Sequence, residues 1–221
     1  MTTWVLIPVK DFKQAKTRLA SLLSAKQREQ LAKAMLQDTL SAASSAIGID
    51  RIAIISNSSE AGKIADAFGV LYIEDRSKDL NGALQAGRAQ LTEYGATSVL
   101  VLPADIPAVR SEDITTILTT SQTSASIVIV PAHDQDGTNA LLLQSRHPLP
   151  YLFGPGSFDR HLAQASALGH PPQILAQSRI AADFDRPSDL ERIDILGPGP
   201  RTKRLLCEFN LCQPRDLKEV S

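Results

Sequence analysis

Three groups of residues in this sequence could do chemistry together if the fold brought them to one place. The first is Asp105, in Leu102-Pro103-Ala104-Asp105-Ile106-Pro107. A lone carboxylate between two prolines, directly after an apolar run, suits a divalent cation that carries phosphates. The second is Lys10-Asp11-Phe12-Lys13-Gln14-Ala15-Lys16-Thr17-Arg18-Leu19. There Lys10, Lys13, Lys16 and Arg18 could grip a triphosphate, lysine as a point charge and arginine as a planar fork. The third is Asp183-Phe184-Asp185, read as the end of a late strand over 179–184. Strand alternation puts both carboxylates on one face, where they repel unless a cation sits between them. With Asp105 they make a set of carboxylates able to hold Mg²⁺ at a triphosphate site. Each group has a plainer alternative. Asp105 could be a turn residue ahead of a helix opening at Ser111, the cations a solvated charge run, and Asp185 a helix starter before Pro187.

Two further stretches could meet a ligand. Asn81 and Gly82 lie in the first turn of a helix beginning at Asp79-Leu80. A helix N-terminus carries free N–H groups, so Asn81 could bond a base or ribose and Gly82 could allow close approach; the alternative is plain capping by Asp79. Phe153-Gly154-Pro155-Gly156-Ser157-Phe158 could form a backbone phosphate cradle, or be a tight turn with a serine cap. His161 on the helix that follows is read as a surface or structural residue. No Walker or GxGxxG loop is present, and Asp134-Gln135-Asp136-Gly137 lacks the rest of a calcium loop.

The elements that must position these residues alternate. Val99 to Leu102 reads as a strand buried on both faces, and Pro103 stops it. Asp105 then lies beyond the carboxyl end of a central strand, the edge at which open α/β sheets bind ligands. Before it come a strand over 4–9, a helix capped by Ser24 with Leu31, Met35, Leu36, Leu40 and Ala43 at helical spacing, and a strand over 51–56. A helix from Ser58 or Ser59 to Phe68, closed by Gly69, a strand over 70–73 and a helix from Asp79 to about Tyr94 follow. After it come a helix from Ser111 to about Thr119, strands over 125–130 and 138–143, a helix from Ser157 to about Leu168, the late strand, and a helix over 187–196. This order predicts a doubly wound, mostly parallel α/β sheet in one domain, residues 1–196, with a mixed-charge tail over 197–221.

The totals exclude several classes. The chain has 221 residues, 43% hydrophobic and 21% charged, with a formal net charge of −1. That is ordinary globular composition with no broad basic surface for nucleic acid. No apolar run approaches a membrane span, and Met1-Thr2-Thr3-Trp4 leads into a strand without a signal-like core. A cytoplasmic protein is expected, with Cys207 and Cys212 as reduced thiols, since a lone C-x-x-x-x-C is a poor metal or disulfide signal. The apolar residues of the tail, Leu205, Leu206, Phe209 and Leu211, leave packing on the domain and a homodimer both open.

Taken in order, Pro8-Val9-Lys10 with Ala15-Lys16-Thr17-Arg18-Leu19, Leu80-Asn81 with Ala83-Leu84, and Leu102 to Pro107 form part of a pattern. Gly137-Thr138-Asn139-Ala140-Leu141, Phe153 to Phe158, and Asp183-Phe184-Asp185-Arg186-Pro187 complete it. The pattern resembles the guanylyltransferases of coenzyme F420 biosynthesis over roughly 4–196. The resemblance implies a Rossmann-like nucleotidyltransferase fold, of the nucleotide-diphospho-sugar transferase type. It also implies GTP and a phosphorylated three-carbon acid as substrates: 2-phospho-L-lactate, phosphoenolpyruvate or 3-phospho-D-glycerate. Carried over to this chain, Asp105, Asp183 and Asp185 would hold Mg²⁺. Thr138, Gly154 and Ser157 would bind the acid, Lys10, Lys16 and Arg18 the triphosphate, and Asn81 the nucleoside. The acid's phosphate would attack the α-phosphorus and release pyrophosphate, and the product would pass to the transferase that assembles F420. The rival readings are a nucleotidyltransferase of the molybdenum-cofactor or sugar-phosphate type, and a non-catalytic nucleotide binder on the same fold.

Overall fold

The computed structural model describes residues 1–123 and 126–212. Its strands are β1 (Thr3–Val9), β2 (Arg51–Ser56), β3 (Leu71–Glu74), β4 (Ser98–Val101), β5 (Ile127–Pro131), β6 (Thr138–Gln144) and β7 (Gln173–Ile174). The helices are α1 (Ala25–Ser44), α2 (Ser59–Phe68), α3 (Leu80–Glu93), α4 (Ser111–Thr123), α5 (Ser157–Ala167), α6 (Ser178–Ala181) and α7 (Arg201–Glu208), with a kinked 3₁₀ segment over Pro187–Leu196. Among the described residues the strands form one sheet in the order β3-β2-β1-β4-β6-β5-β7. β6 runs antiparallel to both β4 and β5; every other pairing is parallel. The doubly wound, mostly parallel α/β sheet expected from the sequence is therefore present.

Local sequence explains most element ends. Ser24 accepts from the Gln27 N–H, and the Gln27 side chain reaches back to the Ser24 N–H, a reciprocal box that starts α1. Gly69, at φ +65°, closes α2. Alternation along β1 sends Val5, Ile7 and Val9 into a core shared with α1, α2 and α4, and Trp4 and Leu6 into one shared with α3 and α5. Gly87 allows α3 to lie close on β1: a β-carbon there would stand 2.9 Å from Leu6 Cδ2. The strand expected from Ala125 is seen from Ile127; Ala125 itself lies outside the described residues.

A third apolar cluster lies beneath the loops that carry the candidate site. It packs Leu19, Leu23, Leu31 and Met35 against Ala182, Phe184, Ile193 and Leu196, and against Leu206 and Leu211 of the C-terminal segment. Up to residue 212 that segment therefore packs on the domain, anchored where Asp38 accepts the N–H groups of Arg201 and Thr202; the rest of the tail, 213–221, lies outside the described residues. No helix among the described residues is long and apolar enough to cross a membrane.

Two expectations are corrected. Residues 179–184 are not a strand: α6 occupies 178–181 and a link without regular secondary structure follows. The sheet edge at β5 is taken by the short β7 instead, and the link finds its backbone partner elsewhere, the Phe184 N–H donating to the Asp105 carbonyl at 3.2 Å. Cys207 and Cys212 are not free thiols but a disulfide. After α7 ends, Asn210 turns at φ +60° and brings the second cysteine back to a Cα–Cα separation of 4.7 Å, within bridging range.

Candidate active site

The carboxyl ends of β1 and β4 open on a cleft of about 520 Å³. Its lining includes Lys10, Lys16, Arg18, Asp105, Asp183 and Asp185. Three stretches far apart in sequence thus meet at one sheet edge, where a strand-end ligand site is expected. Pro103 ends β4, and buried Ile106, Ala108 and Val109 anchor the loop that presents Asp105. A second cavity, about 560 Å³, lies at the amino ends of β1, β2 and β3 around Trp4, Arg51 and Leu71. Its one carboxylate, Asp50, already accepts the Thr3 N–H at 2.6 Å, so no acid–cation cluster forms there.

Lys16 is the centre of the first cleft. Its ammonium lies 2.9 Å from Asp105 Oδ2 and 3.6 Å from Asp185 Oδ1, and Arg18 reaches Asp185 Oδ2 at 2.8 Å. The lysine side chain is only 6% exposed while its two carboxylate partners are about a third exposed, so the acids face the cleft and the cation sits behind them. Lys16 adopts the left-handed conformation, φ +54° and ψ +37°. For a residue with a β-carbon this costs on the order of 1–3 kcal/mol, which the surrounding contacts must offset. Burial pushes the ammonium down, yet Asp105 and Asp185 outweigh it and the Lys16 pKa is raised. Burial likewise pushes Asp105 up, and the Lys16 charge and hydrogen bond, with Lys10 beyond, bring it below its ordinary value.

Asp183 is different. It lies 3.9 Å from the His133 ring nitrogen, and its pKa is raised, by burial first and the Asp105 charge second. Asp183 therefore holds its charge at a cost, set by burial first and by the neighbouring Asp105 charge second. A carboxylate whose folded pKa exceeds its ordinary value of 3.8 costs stability at any pH where the folded group ionises, and costs none below 3.8. Asp183→Asn is accordingly expected to melt roughly 2 °C higher than the parent at pH 7, with the gain vanishing as the pH falls below 3.8. Paired melting curves at pH 7 and pH 3 check this; an unchanged or lowered melting point at pH 7 contradicts the cost of holding Asp183 ionised.

Asp189 is the acid of the first turn after Pro187. Its Oδ2 accepts the N–H of Asp185 at 2.8 Å and of Arg186 at 2.6 Å, and Oδ1 holds Arg192 at 2.9 Å. The acid three residues into a Pro-started segment was the available signal, and its consequence is to fix where Asp185 points.

Thr138, Gly154 and Ser157 are also brought together, but they do not line the cleft. The Thr138 N–H donates to Ser157 Oγ at 2.9 Å, and the Ser157 N–H to the Gly154 carbonyl at 3.0 Å. Gly154 and Gly156, at φ +117° and +65°, make the turn that opens α5. The loop after β5 joins this cluster to the acids: His133 faces Asp183, and Asp136 accepts the Gly156 N–H.

Of the first turn of α3, Leu80 lines the cleft. The Asn81 amide is engaged at both ends with the backbone of Phe153, donating to its carbonyl at 3.1 Å and accepting its N–H at 2.8 Å. The Gly82 N–H donates to Asp79. These two residues secure a loop and a cap here, which is what a short polar residue at a helix start does well.

Comparisons with known proteins show the family and the fold. A family model described as guanylyl transferase CofC like matches residues 3–214. A phosphoenolpyruvate guanylyltransferase of Chloroflexus aggregans is 37% identical over 193 residues, covering 86% of this chain and 94% of the relative. One from Conexibacter woesei is 34% identical over 98% of this chain and 100% of its own length. Among solved structures, one assigned to a nucleotide-diphospho-sugar transferase of Desulfovibrio desulfuricans G20 superposes with a TM-score of 0.81, at 18% identity, over 96% of this chain and 97% of that one. A 4-diphosphocytidyl-2C-methyl-D-erythritol synthase superposes at 0.62, with 16% identity, over 88% of this chain and 98% of that one. At such identities the structural likeness speaks for the fold alone.

Proposed function

The chain belongs to the CofC-like family of guanylyl transferases, and from that premise we propose that it couples GTP to a phosphorylated three-carbon acid, phosphoenolpyruvate, in coenzyme F420 biosynthesis. The choice of acid is supported by the names of the relatives. The observation that carries the reading is the meeting of Lys16 and Arg18 with Asp105, Asp183 and Asp185 in one cleft.

In this reading one oxygen of the acid's phosphate bonds to the α-phosphorus of GTP, and the bond from that phosphorus to the β-bridging oxygen breaks. Pyrophosphate carries away the electron pair. A phosphate monoester is already ionised near neutral pH, so the protein has no need of a strong base; its work is placement and charge neutralisation. Lys10, Lys16 and Arg18 would hold the triphosphate and share the charge that builds on the departing oxygens. Thr138, Gly154 and Ser157 would hold the acid.

The residues suit a magnesium ion. Asp105 and Asp183 are hard oxygen donors, partly exposed to the cleft, and among the described residues Asp183 has no lysine or arginine in salt-bridge contact, Lys16 acting on it only from a distance. Among the described residues no three acidic, cysteine or histidine side chains already converge as a metal cage; Lys16 stands between Asp105 and Asp185 instead. Asp105 and Asp183, with Asp185, would hold the ion. When bound, it would neutralise phosphate charge at the α-phosphorus.

The test is mass spectrometry of the products formed from GTP with the three acids offered together. The expected result is a guanylylated phosphoenolpyruvate as the dominant product, with one pyrophosphate for each. Dominance of a different acid corrects the substrate, and absence of any guanylylated acid contradicts the reaction.

A further inference from the structure

His161 is wholly buried, and the catalytic scheme above gives it no task. Both its ring nitrogens are nevertheless engaged. The Leu152 N–H donates to Nε2 at 3.0 Å, so Nε2 carries a lone pair. The ring is neutral, because burial and then the Arg160 charge push its pKa down to about 4. A neutral imidazole with an accepting Nε2 has its proton on Nδ1. Nδ1 lies 3.0 Å from Thr138 Oγ1, and the Ser157 backbone also interacts with the ring. Whichever acceptor that proton favours, Nδ1 cannot accept one. The Thr138 hydroxyl is thus denied the imidazole as an acceptor, and the Nδ1–H at 3.0 Å is the donor that faces its oxygen. Ser157 Oγ is placed alike, since it accepts the Thr138 N–H.

We infer that His161 is a positioning residue, which holds the Thr138 hydroxyl so that its proton is left for an oxygen of the anionic acid substrate. The inference rests on the proposed role of Thr138 as an acid contact. The same ring, through Leu152, also pins the start of the loop that carries Gly154, while Asn81 pins Phe153 beside it. One side chain therefore couples the donor to the loop that completes the acid site.

Two substitutions separate its halves. In His161→Asn the amide nitrogen can stand where Nδ1 donates; in His161→Gln the amide oxygen can stand where Nε2 accepts. His161→Gln is expected to raise the KM for phosphoenolpyruvate about tenfold, the worth of one hydrogen bond to a charged group, with the KM for GTP within about twofold of the parent. His161→Asn is expected to restore the acid KM to within about threefold. In a Thr138→Val background, which by itself raises the acid KM, His161→Gln should add nothing further, because it acts through the hydroxyl already removed. Equal losses in both His161 variants, shared by the KM for GTP and by the melting temperature, overturn the inference in favour of a purely structural histidine. A raised acid KM in Thr138→Val with none in His161→Gln overturns it alone. An acid KM untouched by Thr138→Val overturns the placement of Thr138 and the inference with it, while product formation from GTP still stands or falls on the mass spectra.

Discussion

Lys16→Met is expected to lower guanylyl transfer by about 10³-fold or more and to destabilise the protein in a pH-dependent way. The catalytic loss follows from removing the one buried cation that touches both Asp105 and Asp185. The stability loss follows from leaving those carboxylates without it. Because both acids are about a third exposed, solvent recovers part of the cost, which leaves about 1–3 kcal/mol, or roughly 3–8 °C in melting temperature. The sign of the pH dependence is fixed by the two shifts. Asp105 has a lowered folded pKa, so its contribution is present above 3.8 and is lost as the pH falls through the folded value. Lys16 has a raised one, so its contribution is present below 10.5 and is lost as the pH rises through the folded value. The deficit of Lys16→Met should therefore be greatest between these limits and shrink at acid pH, where the carboxylates protonate. Melting curves from pH 3 to pH 8 check this. A deficit that is flat with pH would mean that packing, not charge, keeps Lys16 in place.

Asp105→Asn is expected to be as damaging to turnover and less damaging to stability than Lys16→Met. Pyrophosphate release should fall by about 10³-fold or more. The fold should lose less than about 1 kcal/mol, because Lys16 keeps Asp185 and Asp183 loses the charge that crowds it. A coupled pyrophosphate assay beside a denaturant titration separates the two quantities. An Asp105→Asn protein that turns over at a tenth of the parent rate or better, with the same response to added magnesium, would remove Asp105 from the metal site. Together the two variants compare the cleft's cation with its nearest carboxylate: both serve the chemistry, and Lys16, which touches two acids, carries more of the stability.

How much of this was legible beforehand depends on how local each cause is. Ser24 with Gln27 and Phe68 with Gly69 are signals read within a few residues, and both element ends stand where the sequence places them. Pro103 ending an apolar run puts Asp105 at a strand's carboxyl edge with no knowledge of the rest of the chain. The meeting of Asp183 and Asp185 with Asp105 was expected, but for a reason the structure replaces. No strand presents them; an irregular link does, held by the Asp105 carbonyl and by Asp189. The identity of the cation between the acids was equally hidden. The left-handed turn at Lys16 that aims its ammonium inward is set by contacts 89 residues away in sequence, and a run of lysines looks the same whether one is buried or none is. Asn81 reads as a ligand contact from its place in a first turn, yet its partner Phe153 lies 72 residues on. The bridge between Cys207 and Cys212 depends on a turn at Asn210 that no spacing rule foretells.

The central claim is that the acid's phosphate attacks GTP at the α-phosphorus in the cleft around Lys16 and Asp105. Oxygen-18 in the phosphate of phosphoenolpyruvate follows that step directly. All of the label is expected to stay in the guanylylated acid, with none in the pyrophosphate. Label in the pyrophosphate, or GDP in its place, would contradict it.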